Sequence, residues 1–382
     1  MLVWGVALMC AAPAVHAGEV DLLIQKLVEK NVLTANEAQI LLDETKQDVA
    51  KQNAKGANEM LPAWIQTTKI KGDLRLRYQS QQREAGTTRN RGRIRYRLGV
   101  ETKPNEKVTV AAGLSSAEKS STTDDSRSTN TTMQNTFDRG DVRLDYAYGQ
   151  FNPNTSMMLI CGKYKALSTG ALWYTTDMMW DSDINQEGAS ARMDVLNVLG
   201  GDLFASAGYW VLDESSGLSG DPGMYYAQAG MTFPLSEPVT LKMAGTLYGV
   251  EGVQDRTNPY LLEGRASGNT VSGSRYVYDF DQLYAGSIEA VYKFPEETSS
   301  PIKMVGLFAD YVNNPDPSDD NIGYAAGLKF GHNKVGAAKG DWQFKYQYVN
   351  LERDAWLDAF PDSDRYSGNT NVKGHELILD IG

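Results

Sequence analysis

From Lys69 onward, polar and apolar residues alternate with a period of two, the signature of a β-strand with one wet and one apolar face. Lys69, Lys71, Asp73, Arg75 and Arg77 fall on one face, and Ile70, Gly72, Leu74, Leu76 and Tyr78 on the other. After a polar interval the pattern returns, with Arg91, Arg93, Arg95 and Arg97 out of phase with Gly92, Ile94, Tyr96, Leu98 and Val100. Further segments of the same kind are Lys107 to Ser115, Asp141 to Phe151, Ser156 to Lys163, Gly188 to Leu196, Leu203 to Leu212, Met224 to Phe233 and Val239 to Tyr248. Phe280 to Phe294, Ile302 to Val312, Ile322 to Phe330, Trp342 to Leu351 and Lys373 to Ile381 complete a set of about fourteen. On Asp141 to Phe151 the simple alternation sets Arg143 and Asp145 against Val142, Leu144, Tyr146 and Tyr148.

The joints between these strands alternate in length. Short ones are Thr102 to Glu106, Asn152 to Asn154, Gly200-Gly201 and Leu235 to Pro238. Long ones are Ser115 to Phe137, Tyr164 to Glu187, Gly249 to Asp279 and Glu352 to Asn371. Short turns at one end and long loops at the other are what a transmembrane antiparallel up-and-down β-barrel of the outer membrane shows, with the short turns in the periplasm. The expected fold class is therefore all-β, with fourteen strands visible. The last strand ends at Asp380-Ile381-Gly382 without an aromatic residue, which leads us to expect sixteen strands in a complete chain. A soluble β-sandwich or β-helix accounts for the alternation but not for the loop asymmetry.

Helical periodicity is confined to the stretch from Glu19 to about Lys55. Leu22, Leu23, Leu27 and Val28 share a face, and Thr34-Ala35-Asn36-Glu37 has the form of a capping box. Residues 18–60 are expected to form a short helical hairpin and linker, packing on the barrel end or on copies of itself. Before them, Leu2 to Val15 is an apolar run of signal-peptide length with a small residue at Ala17, so residues 1–17 read as an export signal, its missing basic residues implying either an incomplete start or an early methionine. The barrel is assigned to residues 61–382.

Composition narrows the reading. The formal charge of −11 argues against a nucleic-acid partner. No interior segment reaches the 18 or more apolar residues of a membrane helix, so any insertion uses strands. Twenty tyrosines and seven tryptophans suit the aromatic girdles of an outer-membrane barrel. Cys161 is the single cysteine after the export signal, so no internal disulfide is expected.

Three segments resemble one family, the putative porin family of diderm bacteria. They are Leu33-Thr34-Ala35-Asn36-Glu37-Ala38, then Pro62-Ala63-Trp64 with Gly72-Asp73-Leu74-Arg75-Leu76-Arg77-Tyr78, and Gly162-Lys163-Tyr164 with Trp180 to Gly188. The resemblance implies a sixteen-stranded porin, commonly a homotrimer, that conducts small hydrophilic solutes.

A barrel's lipid face must be apolar, since Arg or Lys at the membrane midplane costs about 2–4 kcal/mol. Lys69, Lys71, Asp73, Arg75, Arg77, Arg93, Arg95, Arg97, Arg143 and Asp145 are therefore expected to line a water-filled lumen. There the acids partly neutralise the cations, and the remaining field favours anions locally. Anchoring of an inner loop, or contact with lipopolysaccharide at the rim, is the other reading of these arginines. The loop from Tyr164 to Glu187 combines Trp173, Tyr174 and Trp180 with Asp177, Asp181 and Asp183. A freely solvated loop would not carry so many apolar residues, so it is expected to fold inward as a constriction and set its acids opposite the arginines. An extracellular lid or an oligomer contact is the alternative for this loop.

Asp181 to Asn185 opens like a calcium loop, but Gln186 and Arg192 stand where a glycine and a bidentate acid are needed, so no metal and no cofactor are assigned. His332 and His375 have no neighbours that form a Ser-His-Asp set, and no enzymatic activity is expected. The functional expectation is an outer-membrane porin, with outer-membrane lipid, lipopolysaccharide and small hydrophilic solutes as its partners. The other class considered is a structural barrel that is plugged and uses its N-terminal helices to reach periplasmic partners.

Overall fold

The computed structural model describes residues 63–82, 86–117, 125–134, 136–137, 139–214, 221–254, 268–273, 275–295, 297, 300–365 and 368–382, with Lys26, Lys30, Ala38 and Leu41. The expected export signal and most of the helical hairpin lie outside the described residues. The chain divides into two units, Met1–Thr67 and Thr68–Gly382. In the first, a one-turn helix α1 (Ala63–Gln66) is described, and Trp64 is exposed.

The second unit is one antiparallel meander. Its strands are β1 (Lys69–Gln81), β2 (Arg89–Asn105), β3 (Val108–Ala117), β5 (Asp141–Phe151), β6 (Met157–Tyr164), β7 (Gln186–Val198) and β8 (Gly201–Val211). They continue as β9 (Gly223–Ser236), β10 (Val239–Glu251), β13 (Phe280–Lys293), β14 (Met304–Asn313), β15 (Ile322–Gly331), β16 (Trp342–Leu351) and β17 (Val372–Ile381). Each pairs with the next in the chain, and β1 and β17 are the two edges of the ladder. All fourteen expected strands are present. The loops hold three short strands that the period-two pattern does not reveal: β4 (Thr131–Thr132), β11 (Val271–Ser272) and β12 (Arg275–Tyr276).

The sheet curls. The single loop between β6 and β7 hydrogen-bonds to Gln228 on β9, Asp310 on β14, Gln347 on β16 and Arg97 on β2. Strands so far apart in the ladder can reach one loop only if the sheet wraps around it. The outer face is apolar: Ile70, Leu74, Leu76, Leu144, Leu247, Leu307, Leu377 and Leu379 are all exposed. Outward tyrosines Tyr209, Tyr225, Tyr284, Tyr311 and Tyr324 lie near the long-loop end. Toward the short turns stand Phe151 and the ring groups Tyr292–Phe294 and Phe330–Trp342–Phe344. Tyr284 and Tyr292 mark the two belts on β13, separated by about 26 Å of strand at about 3.3 Å per residue. That separation suits a tilted strand crossing a bilayer core.

One expected alternation fails. A bulge opposite Gly113 and Leu114 inserts Asp145 as an extra residue in β5. Leu144 stays paired with Leu114 on the outer face, while Tyr146 pairs with Gly113 on the inner one. Asp145 is buried, and Tyr146 and Tyr148 join the inner face instead of opposing it. A bulge shifts side-chain parity in this way, and a strict period of two cannot anticipate it. The Tyr146 ring covers Gly99 and Gly113, where a Cβ would collide with it.

Candidate functional site

The arginine face of β1 and β2 points inward, and its partners come from within the ladder, from three loops and from β5. Register places Arg75 opposite Arg95, Arg77 opposite Arg93, Asp73 opposite Arg97 and Lys69 opposite Glu101. Within the ladder, Lys71 Nζ donates to Glu101 at 2.6 Å and Arg95 Nη2 to Asp73 Oδ1 at 2.8 Å. From the β3–β5 loop, Arg75 finds Asn130 Oδ1 at 2.7 Å and Arg93 finds Ser128 Oγ at 3.1 Å. Arg77 pairs with Asp364, just before β17, at 2.5 Å. Arg97 donates to Asp183 Oδ1 at 2.7 Å and to Thr129 Oγ1 at 2.9 Å, with Asp145 at 3.8 Å. Arg143 stands apart, half-exposed, with its Nη2 3.4 Å from Asp141.

Part of the β3–β5 loop, residues 127–132, turns inward, while Met133 and Phe137 beyond it are exposed. Its short strand β4 pairs with Arg93 and Ile94 of β2. Arg127, Thr129 and Asn130 are buried. Arg127 Nη1 donates to the Asp358 and Gly368 carbonyls, tying this loop to the one between β16 and β17.

Residues 165–185, between β6 and β7, begin with a one-turn helix α2 (Ala166–Thr169) that ends at Gly170, whose φ of 82° suits glycine. Beyond it Ala171, Leu172, Met178, Met179 and Trp180 are almost fully buried. Trp180 packs edge-on against Trp210 and Trp356, both at 5.5 Å, and stacks on Phe360 at 4.9 Å. Trp173 shares two hydrogen bonds with Gln228, and Lys242 lies 4.5 Å over its ring. Tyr174 packs against the same apolar cluster, and burial raises its phenol well above the ordinary value. The amides of Thr175 and Thr176 donate to Asp310.

Of the loop's three expected acids, Asp183 alone meets the arginine strands. Burial opposes its ionisation, yet the Arg97 guanidinium holds its carboxyl below the usual range. Asp177 and Asp181 turn instead to residues 352–371, between β16 and β17. Arg365 Nη2 donates to Asp177 at 2.6 Å and to Glu376 of β17 at 2.7 Å, and the Ser363 amide donates to Asp181 at 2.7 Å. Burial pushes Asp181 up to about 6 and Asp362 up to about 8, the latter also raised by Asp177 and Asp181.

Residues 352–371 are the part of the site that the sequence reading passed over. Ala355, Trp356, Leu357, Asp358 and Ala359 are buried. The segment bonds to the β10–β13 loop through Asn269, Thr270 and Tyr276 with Asp354 and Asp358, and to Met179 through Trp356 Nε1. Its Trp356, Leu357 and Phe360 carry the same apolar signal that marks residues 165–185. Asp354, Asp358 and Asp362, interleaved with them, mask it. Among the described residues no group of acids, histidines or cysteines has the arrangement of a metal site.

A curled antiparallel meander with an apolar outer face, two aromatic belts and a charged, loop-filled interior defines an outer-membrane β-barrel of the channel class. The family model described as Putative porin matches residues 81–311 and 307–382, and the chain belongs to that family. Among solved structures, Salmonella typhi OmpF in complex with daunomycin is 11% identical, with 82% of this chain and 96% of that chain covered and a TM-score of 0.44. Pseudomonas putida OprB is 11% identical over 75% of both chains, with a TM-score of 0.43. The outer-membrane channel DcaP of Acinetobacter baumannii is 12% identical over 75% of this chain and 91% of its own, with a TM-score of 0.34. A search of curated proteins gave no match.

Proposed function

We propose that this outer-membrane porin passes small hydrophilic solutes or ions passively through its interior, past a constriction made by residues 165–185, without covalent chemistry. The observation that carries the reading is the Arg97–Asp183 junction. There a buried inward loop meets the cationic wall, beside a cavity of about 380 Å³ lined by both. Lys69, Lys71, Asp73, Arg75, Arg77, Arg93, Arg95, Arg97, Arg143 and Asp145 form the polar side of the passage. Fixed cations on the wall and acids on the loop set a transverse field that orients polar solutes and favours anions near β1 and β2. The protein works as a homotrimer among outer-membrane lipid and lipopolysaccharide, with residues 18–60 on the periplasmic side.

Single-channel recording in planar bilayers tests this. Steady conductance is expected, and deleting Leu172 to Met179 should raise it and weaken selectivity. Unchanged conductance and selectivity after the deletion would remove the constriction role. Replacing Arg75, Arg93 and Arg95 by alanine should move the reversal potential in a salt gradient toward cations; no movement returns them to a scaffolding role. The buried Trp180, Trp210 and Trp356, which fill one side of the interior, favour a second reading, a plugged structural barrel. A wild-type protein without steady conductance would select it.

A further inference from the structure

The cavity beside the Arg97–Asp183 junction lies between β1, β2, β3 and β5 on one side and the start of the β6–β7 loop on the other. Most of the charges on its lining are engaged. Lys71 is paired with Glu101, Asp73 with Arg95 and Arg97 with Asp183. Asp145 accepts from Asn185 Nδ2 at 2.8 Å and lies 3.8 Å from Arg97.

Three donors on the same lining are not engaged. Lys165, half-buried at the loop's first position, makes no side-chain hydrogen bond or ion pair among the described residues. Neither do the phenol oxygens of Tyr146 and Tyr148, which the β5 bulge turns inward. A partly buried ammonium without a partner is unfavourable. Burial and the nearby Arg97 lower the Lys165 ammonium below its ordinary value, against the pull of Asp183 and Asp145. An anion arriving in the cavity would relieve that cost.

Resting on the channel reading above, we propose that Lys165, Tyr146 and Tyr148 form a recognition subsite for small solutes that carry a carboxylate. An ammonium and two O–H donors match the four lone-pair sites of a carboxylate, and charge-assisted bonds of this kind are the strong ones. The tyrosine rings offer a flat surface to the rest of the solute. The Tyr146 ring is held in place because Gly99 and Gly113 beneath it have no side chains, so little freedom is lost on binding. The acids on the lining already have donors, so a cationic solute would have to displace one of these pairs.

Gluconate added to one side of the full-length channel conducting potassium chloride is the probe. Wild-type current should fall with gluconate concentration. Lys165→Gln should raise the concentration for half-block about five- to tenfold and move the reversal potential toward cations, an effect the size of one hydrogen bond in a hydrated site. Lys165→Arg should keep the block within about twofold of wild type. The double variant Tyr146→Phe with Tyr148→Phe should weaken the block about threefold without moving the reversal potential, since no charge changes. It also reads the subsite should Lys165→Gln fail to insert. A conducting Lys165→Gln channel with wild-type block and reversal potential, or a conducting wild type indifferent to gluconate, would overturn the subsite and leave the pore reading standing. A wild type that does not conduct would overturn the pore reading and the subsite with it.

Discussion

Arg75 faces Arg95 and Arg77 faces Arg93 across β1 and β2, an arrangement in which like charges oppose strand pairing. The pairing is sustained from outside the ladder, by Asp183, Asp364, Ser128 and Asn130. Of these supports the Arg97–Asp183 pair is more enclosed than Arg77–Asp364, its side chains 20% and 10% exposed against 25% and 37%. Removing one partner of such a pair leaves the other charge buried without compensation. Asp183→Asn is therefore expected to destabilise the β1–β2 edge by about 2–3 kcal/mol, read as a lower temperature for the mobility shift that folded barrels show on unheated gels; an unchanged shift temperature would mean the wall does not depend on the loop's acid. Packing makes a second demand at this scale. Gly113→Val would drive the Tyr146 ring off its seat, and overpacking of this kind costs about 1–3 kcal/mol, so urea unfolding should begin at lower concentration while Gly245→Ala, with open space at its Cβ, leaves it unmoved. Periodicity exposes the charged face of β1 and β2, because every second residue is Lys, Arg or Asp. It cannot show the Asp145 bulge, since that depends on which residue of β3 sits opposite.

Between elements, the interior depends on a junction of two loops. Arg365 is the one cation within 4 Å of Asp177, Asp362 and Glu376 among the described residues. Asp364 of the same loop is turned away to Arg77, Lys345 of β16 adds a more distant positive charge to Asp177, and Gln347 donates to Asp177 and Glu376. Asp362, raised to about 8, favours its protonated form in the folded state. Its contribution is greatest below the ordinary carboxylate range and is lost as pH rises toward 8. Asp181, raised to about 6, has the same sign. Burial opposes the ionisation of Asp177, but Arg365 and Lys345 hold it below its ordinary value, so its support is present above that range and lost only as pH falls below it. Between pH 6 and 9 Asp362 dominates, because the Asp181 contribution is largely gone by pH 6, and the junction should weaken. Trp356, bonded to Met179 across the junction, reports this: its fluorescence-detected melting point should fall on going from pH 6 to pH 9, and Asp362→Asn should flatten the fall. A melting point independent of pH would remove the linkage. The sequence marks residues 165–185 as inward-facing because tryptophan, tyrosine and methionine crowd an otherwise loop-like stretch. It hides the equal role of residues 352–371, because a buried aspartate and a solvated one look alike until the amides that bind it are placed, as Gly268 and Asn269 are placed around Asp358.

At the scale of the whole barrel, the two halves of the interior differ in kind. Around β8 to β10 and β16 the inner face carries Trp210, Tyr226, Tyr248 and Val349, all buried against Trp180 and Trp356. Around β1, β2 and β5 it carries charges and the cavity that holds Glu101 and Asp145. Close-packed aromatic surface leaves no room for water, whereas paired charges beside a cavity keep it hydrated. The solute path should therefore be eccentric, running down the cationic wall and not along the barrel axis. Cysteine accessibility separates the two routes. Cys161 is exposed on the outer face, so a Cys161→Ser background removes it without touching the interior. In that background, Glu101→Cys should react with a water-soluble methanethiosulfonate and lose conductance as the reagent blocks the passage. Trp210→Cys should stay unmodified, because Trp180, stacked edge-on against it, would still close that side. Equal labelling at both positions, or block from Trp210→Cys alone, would place the water on the aromatic side and show that the β1–β2 charges serve to hold loops.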